Sequence, residues 1–324
     1  MRVLLTGATG FVGRAVLGRL AASDDLEPVA AIRGHALPDC PSRVTTVRTA
    51  GLSADTDWSQ ALDQVEVVIH GAARVHVMND TESDPLEAFR KVNVEGTLSL
   101  ARQAAALGIR RFVFISSIKV NGEGTPINQP YFADATPAPG DPYGISKMEA
   151  EQGLREIAGV SGMEVVIIRP VLVYGPGVRA NFLNMMRWLD KGIPLPFGAI
   201  HNRRSLVALE NLSDLIVTCI RHPAAANQTF LVSDGEDLST TQLLTRMAQA
   251  LGKPARLLPV PSILLERGAQ LLGKQALSQR LCGSLQVDIS KTRELLGWAP
   301  PVSVDEALAS TANHYKESQR QAGL

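Results

Sequence analysis

The sequence has no excess of either charge: 32 acidic side chains stand against 32 basic ones. No net field therefore recruits nucleic acid or an anionic membrane, and any phosphate binding must come from local groups. Cysteine is scarce. Cys40, Cys219 and Cys282 lie far apart and form no C-x-x-C pair, which argues against a disulfide framework and for reduced thiols in a reducing compartment. No apolar run approaches the ~20 residues needed to span a bilayer, so no membrane insertion is expected. The opening Met-Arg-Val-Leu-Leu-Thr-Gly has neither an apolar h-region nor a small-residue cleavage site, which makes the cytoplasm the expected location. Repeats, low-complexity tracts and heptads are missing. The histidines show no metal-ligand spacing; His70 and His76 read as pocket or structural residues, and no metal site is expected.

What is present is an alternating grammar. Short runs that are apolar on both faces, as in central parallel strands, occur at Val3–Leu5, Pro28–Ile32, Val44–Val47, Val65–His70, Phe112–Ser116 and Val165–Arg169. Helical patterns separate them near Phe11–Ala22, Ser83–Leu107 and Tyr143–Ala158. The second opens with Ser83-Asp84-Pro85, a cap with proline in the first turn, and stops at Gly108. After Tyr174 the loops become rich in proline and glycine and the helices shorter. The 324 residues, 45% apolar and 20% charged, suit one large domain or two interdependent ones. The expected fold is α/β: a doubly wound parallel sheet over residues 1–176, with a smaller substrate-binding cap over 177–324. Gln228–Val232 is expected to return as one further strand of the sheet.

Thr6-Gly7-Ala8-Thr9-Gly10-Phe11-Val12-Gly13 sits between the first strand and the first helix. Gly7 permits a tight turn, Gly10 lets backbone approach a pyrophosphate, and Gly13 allows close helix packing. The helix start at Phe11 and Val12 offers free N–H groups and the positive dipole end. A glycine triplet alone marks turns everywhere; on a strand–turn–helix at this point it reads as a Rossmann dinucleotide cradle. The second strand ends Ala30-Ala31-Ile32-Arg33-Gly34, without the carboxylate that would bind the ribose 2′-hydroxyl of NAD. Arg33 and Arg14 could instead grip the 2′-phosphate of NADP, because the guanidinium fork binds phosphate bidentately. NADP is thus the expected cofactor and NAD the alternative; the bland reading is two solvated arginines.

Tyr143 and Lys147 stand four residues apart on one helical face. An unperturbed phenol, with a pKa of about 10, is a poor base at neutral pH. A nearby ammonium and a positive nicotinamide ring would pull it toward the working range, and the lysine could also hold the nicotinamide ribose. The strand Phe112-Val113-Phe114-Ile115 ends in Ser116-Ser117 at the same sheet edge. Ser117 is expected to donate a hydrogen bond to the reacting oxygen, and Ser116 to point toward cofactor or core.

Further motifs follow in order: His-Gly-Ala-Ala at 70–73, Asn93-Val94-Glu95-Gly96-Thr97, and Arg169-Pro170-x-x-Val173-Tyr174-Gly175-Pro176-Gly177. Together with the glycine turn and Tyr143-x-x-x-Lys147, they resemble the NAD-dependent epimerase/dehydratase branch of the extended short-chain dehydrogenase/reductases. The resemblance implies that Ala72 and Ala73 line the cofactor cleft, that Asn93 braces the active-site strands, and that Pro170 and Val173 flank the nicotinamide. It also implies a nucleotide-diphosphate site on Pro194-Leu195-Pro196-Phe197-Gly198 and Arg204, with Asn181 near the pyrophosphate. This chain departs from the pattern at Ile118-Lys119-Val120-Asn121-Gly122, so Lys119 and Asn121 are expected to shape the sugar pocket. Glu149 and Glu151 read as helix-surface pairs.

Three reactions share such machinery. No carboxylate follows Ser117, which demotes a 4,6-dehydratase. The missing acidic strand tip favours NADPH and hence net reduction: a 4-ketoreductase of a UDP-linked 4-keto-6-deoxy-(N-acetyl)hexose, with Tyr143 as proton donor. The stretch from Ser116 to Lys147 also resembles bacterial reductases that complete such sugars for surface polysaccharide. A UDP-sugar 4-epimerase using NAD is the alternative, and a non-catalytic NADP-binding sensor is a third, weakened by the intact Ser117, Tyr143 and Lys147. The helices Ser83–Leu107 and Tyr143–Ala158 would pair with their mates in a homodimer.

Overall fold

The apolar runs assemble into one parallel sheet because each is buried on both sides. The computed structural model describes the chain except for residues 35–39, 76–83, 272, 274 and 323–324, together with the side chains of 275–277 and 322. The strands are β1 (Arg2–Thr6), β2 (Glu27–Ile32), β3 (Thr45–Arg48), β4 (Val67–His70), β5 (Arg111–Ile115), β6 (Glu164–Pro170), β7 (Leu172–Tyr174), β8 (Arg204–Ala208), β9 (Thr229–Val232) and β10 (Asp237–Leu238). Seven of them form the main sheet in the order β3-β2-β1-β4-β5-β6-β9, all neighbours parallel. The order reverses between β1 and β4, which opens a crevice at their carboxyl ends. A second, three-stranded sheet, β10-β8-β7, lies beyond it.

The helices are α1 (Phe11–Ala21), α2 (Pro85–Arg90), α3 (Thr97–Ala106), α4 (Pro142–Ser161), α5 (Ala180–Asp190), α6 (Leu209–Arg221), α7 (Thr240–Leu251), α8 (Ser262–Leu271), α9 (Gln275–Cys282), α10 (Ser290–Leu296) and α11 (Val304–Ala322). The two-residue alternation of β1 divides the core. Val3 and Leu5 pack with α1 and α6 residues such as Val16 and Leu215, whereas Leu4 packs with Leu100 of α3 and Leu154 of α4. A third cluster, built from α5, α7, α11 and β8, fills the cap. Beyond residue 176 the chain thus gives α6 and β9 to the sheet layer as well as building the cap.

Two expectations need correction. Ser83 lies outside the described residues, but Asp84 caps α2 by accepting a hydrogen bond from Glu87 N, and Pro85 is its first residue. The helix expected to run on to Leu107 is interrupted by a π-helical turn over Lys91–Gly96. The wider turn brings Asn93 and Gly96 inward, and Gly96 packs so closely that a Cβ there would lie 2.9 Å from the Leu52 backbone. Strand ends move by one or two residues, as with β3 over Thr45–Arg48.

Candidate active site

The glycine turn faces the crevice where the strand order reverses. Gly7 takes φ +78°, and a Cβ on it would lie 2.7 Å from the Ala72 amide nitrogen. A Cβ on Gly13 would lie 2.0 Å from the Gly7 carbonyl oxygen. Any larger residue would fill this cradle. Gly10 begins α1 without a side-chain cap, so the N–H groups of Phe11, Val12 and Gly13 are the helix's unsatisfied leading donors. The donor set and the space fit a dinucleotide's phosphates. Arg14 is exposed and donates from Nε to the Thr9 carbonyl. Arg33 is exposed at the tip of β2, close to Gly51.

The opposite wall is the loop after β4. Ala72 N donates to Thr6 Oγ1 (3.2 Å), and Thr6 Oγ1 meets His70 Nδ1, whose Nε2 meets Thr97 Oγ1 (2.9 Å). Burial, with the Lys147 ammonium second, holds His70 down to about 3, so the ring is neutral. His70 is therefore structural; His76 lies outside the described residues. Asn93 accepts from Arg74 N (2.8 Å) and donates to Arg74 O and to Ser146 Oγ (3.0 Å). It ties the Ala72-Ala73 loop to α4, rather than bracing strands.

Asp141 opens α4 by accepting from Gly144 N, with Pro142 in the first turn. Gly144 lets that first turn press onto the short 3-10 turn Ile118–Val120: a Cβ there would lie 2.8 Å from the Lys119 carbonyl oxygen. This approach sets the first turn of α4, which carries Tyr143, against the turn that Ser117 caps. Ser117 accepts from Lys119 N (3.2 Å), which leaves its own hydrogen free to donate. Lys147 is buried, donates from Nζ to the Ile115 carbonyl (2.9 Å) and stands 4.4 Å from the Phe114 ring centroid. Burial drives it down to about 7, while the Glu151 carboxylate works the other way. Tyr143 packs edge-on against Phe89 at 5.9 Å. Burial, with Asp141 second, pushes its phenol up to about 12. The sequence reading expects Lys147 to lower the phenol; in the protein, burial and the Asp141 charge move it the other way.

Two assignments change and one is narrowed. Of the two directions expected for Ser116, the structure takes the core: it is buried and donates to Glu151 Oε1 (2.6 Å), so its cofactor-binding role falls away. Asn121 is buried, accepts from Arg169 Nη1 (2.9 Å) and donates to the Phe132 carbonyl; its polar atoms serve this network and not a sugar. Glu151 is no surface residue, because it lies beneath Lys147 and pairs with Arg169. Glu149 does form a partly exposed pair, with Arg90. Lys119 pairs with Asp141 and Glu123 beside Ser117.

Toward the cap, Pro170 closes β6 and is buried, and Val173 on β7 is half-buried. Arg204 begins β8 and donates to the Gly283 carbonyl (3.0 Å). Burial and then the nearby Arg280 charge lower it. Two guanidiniums held close to one another make a fitting seat for a diphosphate. Arg280 escaped the sequence reading because it lies 76 positions from Arg204 with no motif around it. Phe197 is half-buried against the cap core, and Asn181 is exposed at the start of α5. Among the described residues, no three of His, Cys, Asp or Glu gather as a metal site would require. None of the described helices is long and apolar enough to cross a membrane.

Residues 3–233 match the NAD dependent epimerase/dehydratase family. A Vibrio cholerae protein described as a UDP-glucose 4-epimerase is 50% identical over 320 residues, covering 98% of this chain and 97% of its own. A Mycolicibacterium smegmatis protein of the same description is 30% identical, covering 99% of this chain and 100% of its own. Among solved structures, a UDP-glucuronic acid 4-epimerase from Bacillus cereus, in complex with UDP-glucuronic acid and NAD, superposes with a TM-score of 0.78 at 21% identity, covering 98% of this chain and all of that one.

Proposed function

The chain belongs to the NAD dependent epimerase/dehydratase family, and from that premise we propose that it is a UDP-sugar 4-epimerase working with tightly held NAD. The observation that carries the reading is the 50% identity to the Vibrio cholerae UDP-glucose 4-epimerase across nearly the whole of both chains. The geometry supports it in kind: Tyr143 and Lys147 share a face of α4, whose first turn packs against the turn that Ser117 caps. The net 4-ketoreductase and NADP, which the sequence reading puts first, have weaker support. That argument leans on Arg33, an exposed residue in the structure, and the relatives above are epimerases.

When bound, NAD supplies the hydride acceptor and donor at the sugar's C4, and its positive ring adds the charge that Lys147 alone does not provide against burial of Tyr143. Tyr143 Oη takes the proton from the C4 hydroxyl as C4 is oxidised, and returns it to the oxygen when the keto sugar presents its other face. Ser117 donates a hydrogen bond to that oxygen in both directions. Lys147 holds the nicotinamide ribose and keeps a positive charge near the phenolate. Arg204 and Arg280 hold the diphosphate, the fixed point about which the keto sugar turns. Residues 1–176 serve the cofactor and 177–324 the nucleotide sugar, with β9 returned to the first part. We place the enzyme in the cytoplasm, in surface-polysaccharide synthesis, as a homodimer. Leu107 and Val160, exposed just past the C-terminal end of α3 and near that of α4, support pairing through those helices.

The test is to incubate the purified protein with UDP-glucose, and separately with UDP-N-acetylglucosamine, without added cofactor. Appearance of the 4-epimer by NMR, NAD released on denaturation, and loss of turnover in Tyr143→Phe are expected. No epimer, together with stoichiometric consumption of NADPH on a UDP-4-keto sugar, would replace this reading by the reductase.

A further inference from the structure

Glu151 and Arg169 form the most completely enclosed ion pair among the described residues, with side chains 1% and 2% exposed. Arg169 Nε donates to Glu151 Oε1 (2.9 Å) and Nη2 to Oε2 (2.5 Å). A buried pair of this kind is weak evidence for stability, since apolar side chains of similar volume would often serve the fold as well. Its connections point to another role. Glu151 Oε1 also accepts from Ser116 Oγ (2.6 Å), and Ser116 precedes Ser117. Glu151 follows Lys147 by four residues and Tyr143 by eight, so all three share one face of α4. Arg169 precedes Pro170 at the end of β6, and its Nη1 donates to Asn121 Oδ1 (2.9 Å), the residue that ends the turn begun by Ser117. One carboxylate thus joins the end of β5, the face of α4 and the end of β6.

We propose that the Glu151–Arg169 pair is a positioning device: it fixes Ser117, Tyr143 and Lys147 relative to one another and places the Glu151 carboxylate one helical turn behind Lys147. The first part follows from the bidentate fork, which fixes angle as well as distance. The second rests on what faces Lys147. Tyr143 and Glu151 lie along α4, neutral His70 and the Phe114 ring come from β4 and β5, and beyond Glu151 stand Arg169 of β6 and, 3.5 Å from Glu151 Oε2, Arg155 of α4 itself. Of these, Glu151 is the group whose charge opposes the burial of the ammonium. The proposal rests on the reading of this site as a hydride-transfer centre.

Two variants and two kinds of readout test it. Ser116→Ala cuts the strand-end tether and leaves the ion pair intact; Glu151→Gln removes the charge, with Glu151→Gln/Arg169→Met in its place if the single variant does not fold. Each is assayed for kcat, KM and melting temperature. The titration of Lys147 is followed by NMR on ¹³C-lysine protein, assigned with Lys147→Met. We expect Ser116→Ala to lose about tenfold in kcat with KM and NAD content kept, because small misplacements are costly in turnover. In the Glu151 variant Lys147 should titrate about one unit lower, and the alkaline limb of kcat should move down with it. Unchanged kcat in Ser116→Ala together with an unmoved Lys147 titration, the melting temperature alone falling, would reduce the pair to scaffolding. If the wild type epimerises no UDP-sugar, the proposed function fails, and the Lys147 titration still decides the charge placed behind it.

Discussion

Thr6 and His70 are register partners at the carboxyl ends of β1 and β4, and Thr6 Oγ1 lies 2.7 Å from His70 Nδ1. The contact closes the floor of the crevice at the point where the strand order reverses. Its other ends are Ala72 N, in the loop against Gly7, and Thr97 at the start of α3.

His70→Asn should therefore loosen both walls of the cofactor cleft. Lost hydrogen bonds and a partial cavity are expected to cost about 2–4 kcal/mol near neutrality. The folded protein holds His70 near about 3, below its ordinary 6.5. A depressed pKa means that the stability from neutral His70 is present above about 6.5 and is lost as pH falls toward 3. Asparagine does not titrate, so the gap in melting temperature between wild type and variant should narrow through that window. A gap of constant width from pH 7 to pH 4 would contradict a buried neutral imidazole.

Gly13→Ala should empty the cofactor site. Its Cβ would lie 2.0 Å from Gly7 O and 2.7 Å from Gly7 C, both backbone atoms, so no rotamer change relieves the clash and the turn must open. NAD recovered after denaturation is expected to fall at least about tenfold, since the phosphate seat is lost. Gly18→Ala on the same helix is the control: nothing lies within 4 Å of its Cβ, and the change should stabilise α1 by roughly 0.5–1 kcal/mol. Equal NAD content in the two variants would show that the turn does not seat the phosphates.

These two sites differ in how much of them the sequence announces. The parallel strands are legible because each is a short run apolar on both faces, and the glycine turn because its spacing follows the first strand. Tyr143, Lys147 and Ser117 are legible as a helix face and a strand end. The partners of the inner residues are not. Ser116 and Glu151 are 35 positions apart, and Glu151 and Arg169 are 18 apart; only folding brings their charges out of water together. One signal does lie in the sequence: 143, 147 and 151 repeat at helical spacing, which puts the Glu151 carboxylate on the same inward face as Lys147. The π turn over Lys91–Gly96 leaves no mark in local propensity, and the upward displacement of Tyr143 depends on burial that spacing alone does not measure.

Arg204→Leu should raise KM for a UDP-sugar by about 10–100-fold while lowering kcat less, because a diphosphate held equally before and during the reaction contributes uniform binding. Arg204→Lys should recover only part of the loss, lacking the planar fork. Arg280, which shares the site's charge, should behave in the same way when changed to leucine. An unchanged KM in both leucine variants would move the diphosphate elsewhere.

Lys147→Met should abolish epimerisation and yet stabilise the protein at neutral and acidic pH. Burial holds Lys147 near about 7 in the folded state, against an ordinary value of 10.5. Below about pH 7 the ammonium is charged in both states, and its desolvation cost is carried by the folded one. As pH rises from about 7 to 10.5 the folded protein releases the proton while the unfolded chain keeps it, so wild-type stability climbs across that window. Methionine, similar in length and uncharged, never bears the cost; it gives up only the hydrogen bond to Ile115 O and the contact with the Phe114 ring. With nucleotide stripped from both proteins, the variant should melt about 2 °C or more above wild type at pH 6. The advantage should shrink toward pH 10, where the folded wild type has already lost its charge. A variant that melts lower at pH 6, by the same margin as at pH 10, would mean that Lys147 costs the fold nothing and that its burial does not disfavour the charged form.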